Sequence, residues 1–297
     1  MKPIETLIAF ANVNAFVVKD GNDFYDEVRK SRDFTGKVVL VTGSAYGIGE
    51  AVTKLYSALG AEVVVTSYKK TDIDRVVKEV KALSPKGLEP LGVVADLTKE
   101  ADIKALFEQT IKKYGKLDVL VNTAGLYRKA NITEDTFEAE LETSEKIDII
   151  ASVKLIRYFL PYLEKTKGNI ISLTSVFTEH LQTNKIGYEV AKAGLEIITK
   201  GLALELAPKG IRVNCISPGI VLTPPVGSDP YEVAFYKKTA DLTPLYRRAG
   251  APQDIAKAVV FLSSTDAQFV TGNNLVVDGG LRYNMASDFL WDVTKYQ

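Results

Sequence analysis

From Lys37 onward the chain alternates short runs of Val, Ile and Leu with longer segments in which apolar residues return every three or four positions. The short runs have the length and β-branched character of strands, and the longer ones the spacing of amphipathic helices. Seven strands are predicted: Val38 to Thr42, Glu62 to Thr66, Leu91 to Ala95, Val119 to Asn122, Asn169 to Leu173, Arg212 to Ile216 and Asn274 to Val277. Helices are predicted near Ile48 to Leu59, Asp72 to Leu83, Ala101 to Tyr114, Ser144 to Leu163, Ala191 to Leu206 and Pro252 to Leu262. Gly60 and Gly210 follow two of them, where a left-handed residue ends a helix well. Val38-Val39-Leu40-Val41 and Val63-Val64-Val65 show no polar alternation, as expected of strands covered on both faces. The alternation of strand and helix therefore predicts an α/β fold, a doubly wound seven-stranded parallel sheet with helices on both faces.

The organisation read from this pattern is an N-terminal extension over residues 1–33, one domain over 34–280 and a tail over 281–297. Within the domain, Leu222 to Gly250 holds Pro224, Pro225, Pro230, Pro244 and four aromatics, and reads as an excursion from the sheet that covers a substrate. Of the 297 residues, 46% are hydrophobic and 25% charged, enough to bury a large core. Thirty-seven basic and thirty-seven acidic side chains cancel, so no global field favours nucleic acid or an anionic membrane. A small-molecule partner is expected. The single cysteine, Cys215, cannot close an intramolecular disulfide, and one histidine offers little for a metal, so metal-free chemistry is expected. The apolar stretch Leu7 to Val18 is too short to span a bilayer and is interrupted by Asn12 and Asn14, which makes a cytoplasmic location the default.

Thr42-Gly43-Ser44-Ala45-Tyr46-Gly47-Ile48-Gly49 follows the first predicted strand and opens a helix. Glycines there let the backbone approach a pyrophosphate, and the new helix turns unpaired N–H groups towards the anion, as in Rossmann-like dinucleotide sites. After the second strand, where an acid would bond an NAD ribose, stand Thr66-Ser67-Tyr68-Lys69-Lys70. Ser67 with Lys69 or Lys70 suits a 2′-phosphate, favouring NADP(H) with NAD(H) as the alternative; the competing reading makes both lysines solvated loop charges.

Tyr188-Glu189-Val190-Ala191-Lys192 sets a phenol and an ammonium one helical turn apart. A neighbouring cation favours the phenolate and brings the phenol towards a working acid–base range, although the same spacing also serves as a plain surface contact. Ser175 lies thirteen positions before Tyr188, beyond a strand end. With the glycine turn, Asn122-Thr123-Ala124-Gly125, Ser175 and Tyr-x-x-x-Lys together, the chain closely resembles the short-chain dehydrogenase/reductase family from about Phe34 to Gly280. The resemblance implies that Tyr188 is the acid in carbonyl reduction and the base in alcohol oxidation. It gives Lys192 the nicotinamide ribose and the lowering of the tyrosine pKa, and Ser175 the substrate oxygen. It extends the cofactor site to Gly43, Ser44, Tyr46, Gly47, Ile48, Gly49, Ser67, Tyr68, Lys69, Asp96, Leu97, Asn122, Ala124, Gly125, Tyr188, Lys192, Pro218, Gly219, Ile220 and Thr223. Thr123 replaces the second Asn of the strand-end element, and Val277-Asp278-Gly279-Gly280 matches the closing motif. A homo-oligomer, dimer or tetramer, built on the helices near Ser144 to Leu163 and Ala191 to Leu206 is likewise implied.

One position departs from the family. Many members carry an active-site Asn twenty-seven residues before the Ser; here that position is Asp148. In the family that Asn supports a water next to the Lys in a proton relay; an ionised Asp cannot donate a hydrogen bond, so Asp148 is expected to keep the relay geometry and to move its pH dependence, either through attraction to Lys192 or by becoming protonated when buried. The other reading is a displaced alignment or an exposed helical Asp. His180 suits a loop hydrogen bond, Cys215 a packing role, and Trp291 and Tyr296 contacts with the body or a neighbouring subunit. Tyr127, Phe177, Tyr231, Phe235, Tyr236 and Tyr246 are candidates for an apolar substrate wall. A catalytically silent nucleotide-binding regulator and a methyltransferase of similar sheet are the competing functional classes.

Overall fold

The computed structural model describes residues 22–223 and 230–285; Leu7 to Val18, Pro224, Pro225, Trp291 and Tyr296 lie outside them, as do the side chains of Pro230 and Tyr231. In chain order the elements are α1 (Asn22–Arg29), β1 (Val38–Val41), α2 (Gly47–Ala58), β2 (Glu62–Ser67), α3 (Lys70–Leu83), β3 (Leu91–Val94), α4 (Glu100–Tyr114), β4 (Val119–Asn122) and α5 (Phe137–Ser144). A π-helical segment (Glu145–Ile150) follows, then α6 (Ala151–Thr166), β5 (Asn169–Leu173), α7 (Ile186–Leu206), β6 (Arg212–Pro218), α8 (Pro230–Leu242), α9 (Pro252–Ser263) and β7 (Asn274–Val277).

The seven strands form one sheet in the order β3-β2-β1-β4-β5-β6-β7, parallel throughout. The unbroken apolar runs have the cause expected of them. In β1, Val39 and Val41 enter one core with Val52 and Tyr56 of α2, Val76 of α3 and Val259 of α9. Val38 and Leu40 enter the other with Leu106 of α4, Phe159 of α6 and Leu206 of α7. Successive strand residues point to opposite faces, so a strand buried on both sides has no position left for a polar residue.

Among the differences from the sequence expectation, two change the course of the chain near the sheet's carboxyl edge. The helix predicted over Ser144 to Leu163 begins at Phe137 and passes through the π-helical segment before continuing as α6. Apolar periodicity does not report a wider turn, and such segments cluster at functional sites. The excursion after Leu222 contains α8, whose proline-rich approach hides its helical spacing. No helix among the described residues is long and apolar enough to cross a membrane.

Candidate active site

The strand order reverses between β1 and β4, whose neighbours lie on opposite sides, and the crevice beyond their carboxyl ends is where an open α/β sheet holds ligands. The glycine turn lines it. Gly43 and Gly47 adopt left-handed φ values of 61° and 55°. A Cβ on Gly49 would lie 2.4 Å from the Gly43 carbonyl oxygen and 2.6 Å from Thr123 Oγ1. Only bare backbone packs there. The turn, the ends of β2 and β3 and the loop after β4 enclose a groove of about 530 Å³. Of the expected cofactor residues, Gly43, Tyr46, Gly47, Ile48, Gly49, Ser67, Tyr68, Lys69, Asp96, Leu97, Ala124, Gly125 and Thr223 line it. An elongated groove floored by glycine backbone at a helix start fits a dinucleotide.

Of the residues expected around the phosphates and strand ends, Ser44, Asn122 and Lys70 do not line the groove. Ser44 faces inward, its Oγ accepting from the Thr66 N–H at 2.7 Å, because the turn needs an anchor onto β2. Asn122 is buried, with its amide directed to Ser172 at 3.4 Å. Lys70 turns to Asp74, 2.8 Å away on the next turn of α3, leaving Lys69 as the groove's lysine.

A second cavity of about 380 Å³ adjoins the groove, sharing Ile48, Thr123, Gly125, Leu173 and Thr223. Ser175, Tyr188 and Lys192 converge on it, together with Pro218, Gly219 and Ile220. Ser175 follows β5 and caps a short helical turn, its Oγ accepting from the Phe177 N–H at 3.2 Å. Tyr188 and Lys192 project from the first two turns of α7, which begins at Ile186, five residues before the predicted start. Lys192 Nζ donates to Asp148 Oδ1 at 2.6 Å and to the Leu173 carbonyl at 2.9 Å. Asp148 sits on the π-helical segment and is fully buried, which rules out an exposed helical Asp.

Burial pushes the Asp148 carboxyl up against the pull of the Lys192 ammonium. Burial opposes the charge on Lys192 too, yet the Asp148 carboxylate and the Tyr188 phenol together hold its pKa above the ordinary lysine value. Tyr188 corrects an expectation. Burial raises its phenol above the ordinary tyrosine value despite the pull of Lys192 and a hydrogen bond with Ser175, and the negative charge of Asp148 raises it further. The cation beside the phenol is itself neutralised by a carboxylate.

Of the proposed aromatic wall, Tyr127, Phe177, Phe235 and Tyr236 line the cavity. Tyr246 does not: it is 76% exposed, at a left-handed φ of 61° in the loop after α8. His180 lines neither cavity, its carbonyl accepting from the Gln182 amide at 3.2 Å. Cys215 is buried in β6, where desolvation pushes its thiol up to about 11. Two residues of interest went unread in the sequence. Asp72, in the first turn of α3, lines the groove beside Lys69. Lys185, just before α7, is buried with its ammonium 4.0 Å from the Tyr127 ring centre. A lone Asp or Lys carries no periodic signal that would have marked either.

A glycine-floored dinucleotide groove opening onto a Ser, Tyr and Lys cluster defines the class of nicotinamide-dependent oxidoreductases. A family model described as enoyl-(acyl carrier protein) reductase matches residues 43–282. Tropinone reductase-like 3 of Erythroxylum coca is 35% identical over 84% of this chain and 94% of its own length. A 3-oxoacyl-(acyl-carrier-protein) reductase of Thermotoga maritima is 34% identical over 83% of this chain and 98% of its own. Among solved structures, a 7α-hydroxysteroid dehydrogenase complexed with NADH and 7-oxo glycochenodeoxycholic acid is 32% identical, covers 85% of this chain and 96% of that one, and superposes with a TM-score of 0.78. The chain belongs to the short-chain dehydrogenase/reductase family of NAD(P)-dependent oxidoreductases.

Proposed function

We propose that the protein interconverts a carbonyl and a secondary alcohol with Tyr188 as the proton-transferring group and with a preference for NADP(H). The observation that carries this reading is the convergence of Ser175, Tyr188 and Lys192 on a cavity continuous with the dinucleotide groove. The glycine turn and Gly125 would hold the cofactor, with Lys192 at its ribose. The bound nicotinamide supplies or accepts the hydride. Ser175 hydrogen-bonds the substrate oxygen, and Tyr188 gives its proton to that oxygen in reduction or removes it in oxidation. Lys192, anchored by Asp148 and the Leu173 carbonyl, stabilises the phenolate left behind. Asp148 is a positioning residue that also tempers this cation.

The cofactor preference rests on Ser67 and Lys69 at the adenosine end of the groove. Asp72 beside them weakens but does not reverse it. Assembly into a homo-oligomer rests on Val190, Ile197 and Leu204, which leave a seven-residue-spaced apolar stripe exposed on α7. Equilibrium titration of the purified protein with NADPH and NADH at constant ionic strength tests the reading, followed by turnover assays of Tyr188→Phe. Tighter NADPH binding and loss of turnover in the variant are expected. Tighter NADH binding would overturn the cofactor preference, and binding of neither would favour a catalytically silent regulator.

A further inference from the structure

Building on that reading of the site, we propose that the substrate is an uncharged ketone or secondary alcohol with an apolar, ring-sized carbon skeleton, packed against the aromatic wall formed by Tyr127, Phe177 and Tyr236. Three of the cavity's polar side chains are committed elsewhere. Thr123 donates to the Thr42 carbonyl. Thr174 Oγ1 bonds the Ile216 carbonyl at 3.0 Å and Ser217 Oγ at 2.7 Å. Lys192, the cavity's one charged side chain among the described residues, is occupied by Asp148 and Leu173. Ser175 and Tyr188 remain for a single reacting oxygen. A hexose would set several hydroxyls against the aromatic wall, and each one left unpaired weakens binding more than a missing methylene. An oxoacid would bring a carboxylate with no free cation to meet it.

The opposite character is well provided for. The Tyr127 ring stacks on Phe177 at 6.2 Å between centroids and meets the Tyr188 ring edge-on at 5.2 Å. Phe177 and Ile220 share a buried cluster with Leu281 and Met285, against which Tyr236 packs, so this part of the wall is supported. Tyr127 is also held by Lys185 over its ring. Lys185 is 1% exposed, and its ammonium lies 4.0 Å from the ring centre with no hydrogen-bond partner among the described residues, so it rests on the π face. Burial, the like charge of Lys129 and the partial compensation of Glu189 leave its pKa at about 7. Lys185 is thus a positioning residue for the wall.

The test measures kcat/KM for reduction of cyclohexanone, 2-decalone and 2-oxobutyrate with NADPH and NADH, and for oxidation of a free hexose with the oxidised cofactors. Each buried methylene is worth about a fourfold gain, so 2-decalone should exceed cyclohexanone by tenfold or more and the polar probes should fall well below both. A hexose or oxoacid preferred over 2-decalone, with Tyr188→Phe inactive on it, overturns the substrate class and leaves the catalytic reading standing. No turnover of any probe overturns the class if a cofactor binds, and the catalytic reading as well if neither does. Lys185→Met should raise KM for 2-decalone several-fold with a much smaller change in kcat, and Lys185→Arg should restore it. An unaltered KM in the folded Met variant removes Lys185 from the wall.

Discussion

Replacing Asp148 with Asn removes a charge from the catalytic cluster while keeping the side-chain volume. The Asp148 Oδ1 lies 2.6 Å from Lys192 Nζ, which lies 5.6 Å from the Tyr188 ring centre, so the carboxylate is no farther than about 8 Å from that ring. At an effective dielectric constant near 20, a unit charge at about 8 Å contributes about 2 kcal/mol, or about 1.5 pH units, to the phenol's titration. Screening by the surrounding protein and solvent makes this an upper figure, and a shift of about one unit is expected. Its sign follows from the carboxylate raising the Tyr188 pKa: without it, the pull of Lys192 on the phenol is opposed only by burial and the charge of Glu189. In alcohol oxidation, where Tyr188 must be ionised to take the proton, the acidic limb of the kcat profile should move down by about one pH unit in Asp148→Asn. In reduction, activity should fall away at correspondingly lower pH. A profile that does not move, in a variant that binds cofactor normally, would refute the electrostatic role. A profile that moves upward would refute it differently, since Lys192 would then have lost its own charge without the carboxylate that sustains it.

Lys185 has a folded pKa of about 7 against an ordinary 10.5, so between those values the unfolded chain binds more protons and stability rises with pH. Lys185→Met should flatten this gain, by up to about 1.4 kcal/mol per pH unit, in denaturant unfolding curves from pH 7 to 9; parallel curves would place the amine outside the core. Lys69→Met should lower the NADPH-to-NADH ratio of kcat/KM, and Asp72→Asn raise it, each by about two- to fivefold as expected of partly exposed charges. Equal ratios in all three proteins would move the 2′-phosphate elsewhere. Leu204→Glu, on the exposed stripe of α7, should shift sedimentation towards smaller species, and a wild-type protein that sediments as a monomer would dismiss the stripe as an interface.

Most of the sheet was legible because its signal is local and redundant. The predicted cores of β1, β2 and β4 carry through into the sheet, and their unbroken valine runs announced two covered faces before any helix was placed. The glycine turn was legible for a similar reason, since a strand, a turn and a helix start coincide within a dozen residues. What escaped were features settled by distant contacts. Ser44 looks like a phosphate ligand in the turn, but the Thr66 N–H on the neighbouring strand claims its hydroxyl. Lys69 and Lys70 are equivalent in sequence, and Asp74 separates them. The family position of Asp148 already pointed to an attraction to Lys192, but the burial that raises the Tyr188 pKa against the pull of that lysine has no local signal in the sequence.

Gly125 joins the two kinds of information. In sequence it is the last residue of the strand-end element and invites a cofactor explanation alone. In the fold, a Cβ at this position would stand 2.5 Å from Asp148 Oδ1 and 3.0 Å from Lys192 Nζ. The buried ion pair therefore occupies the volume that the glycine leaves open, and any side chain there would have to push the carboxylate off the lysine. A π-helical segment delivers Asp148 to that point, α7 delivers Lys192, and the loop after β4 must pass between the pair and the dinucleotide groove with backbone only. The glycine thus fixes how closely the cofactor groove can approach the proton-transferring cluster, and the cost of a side chain would fall on both at once.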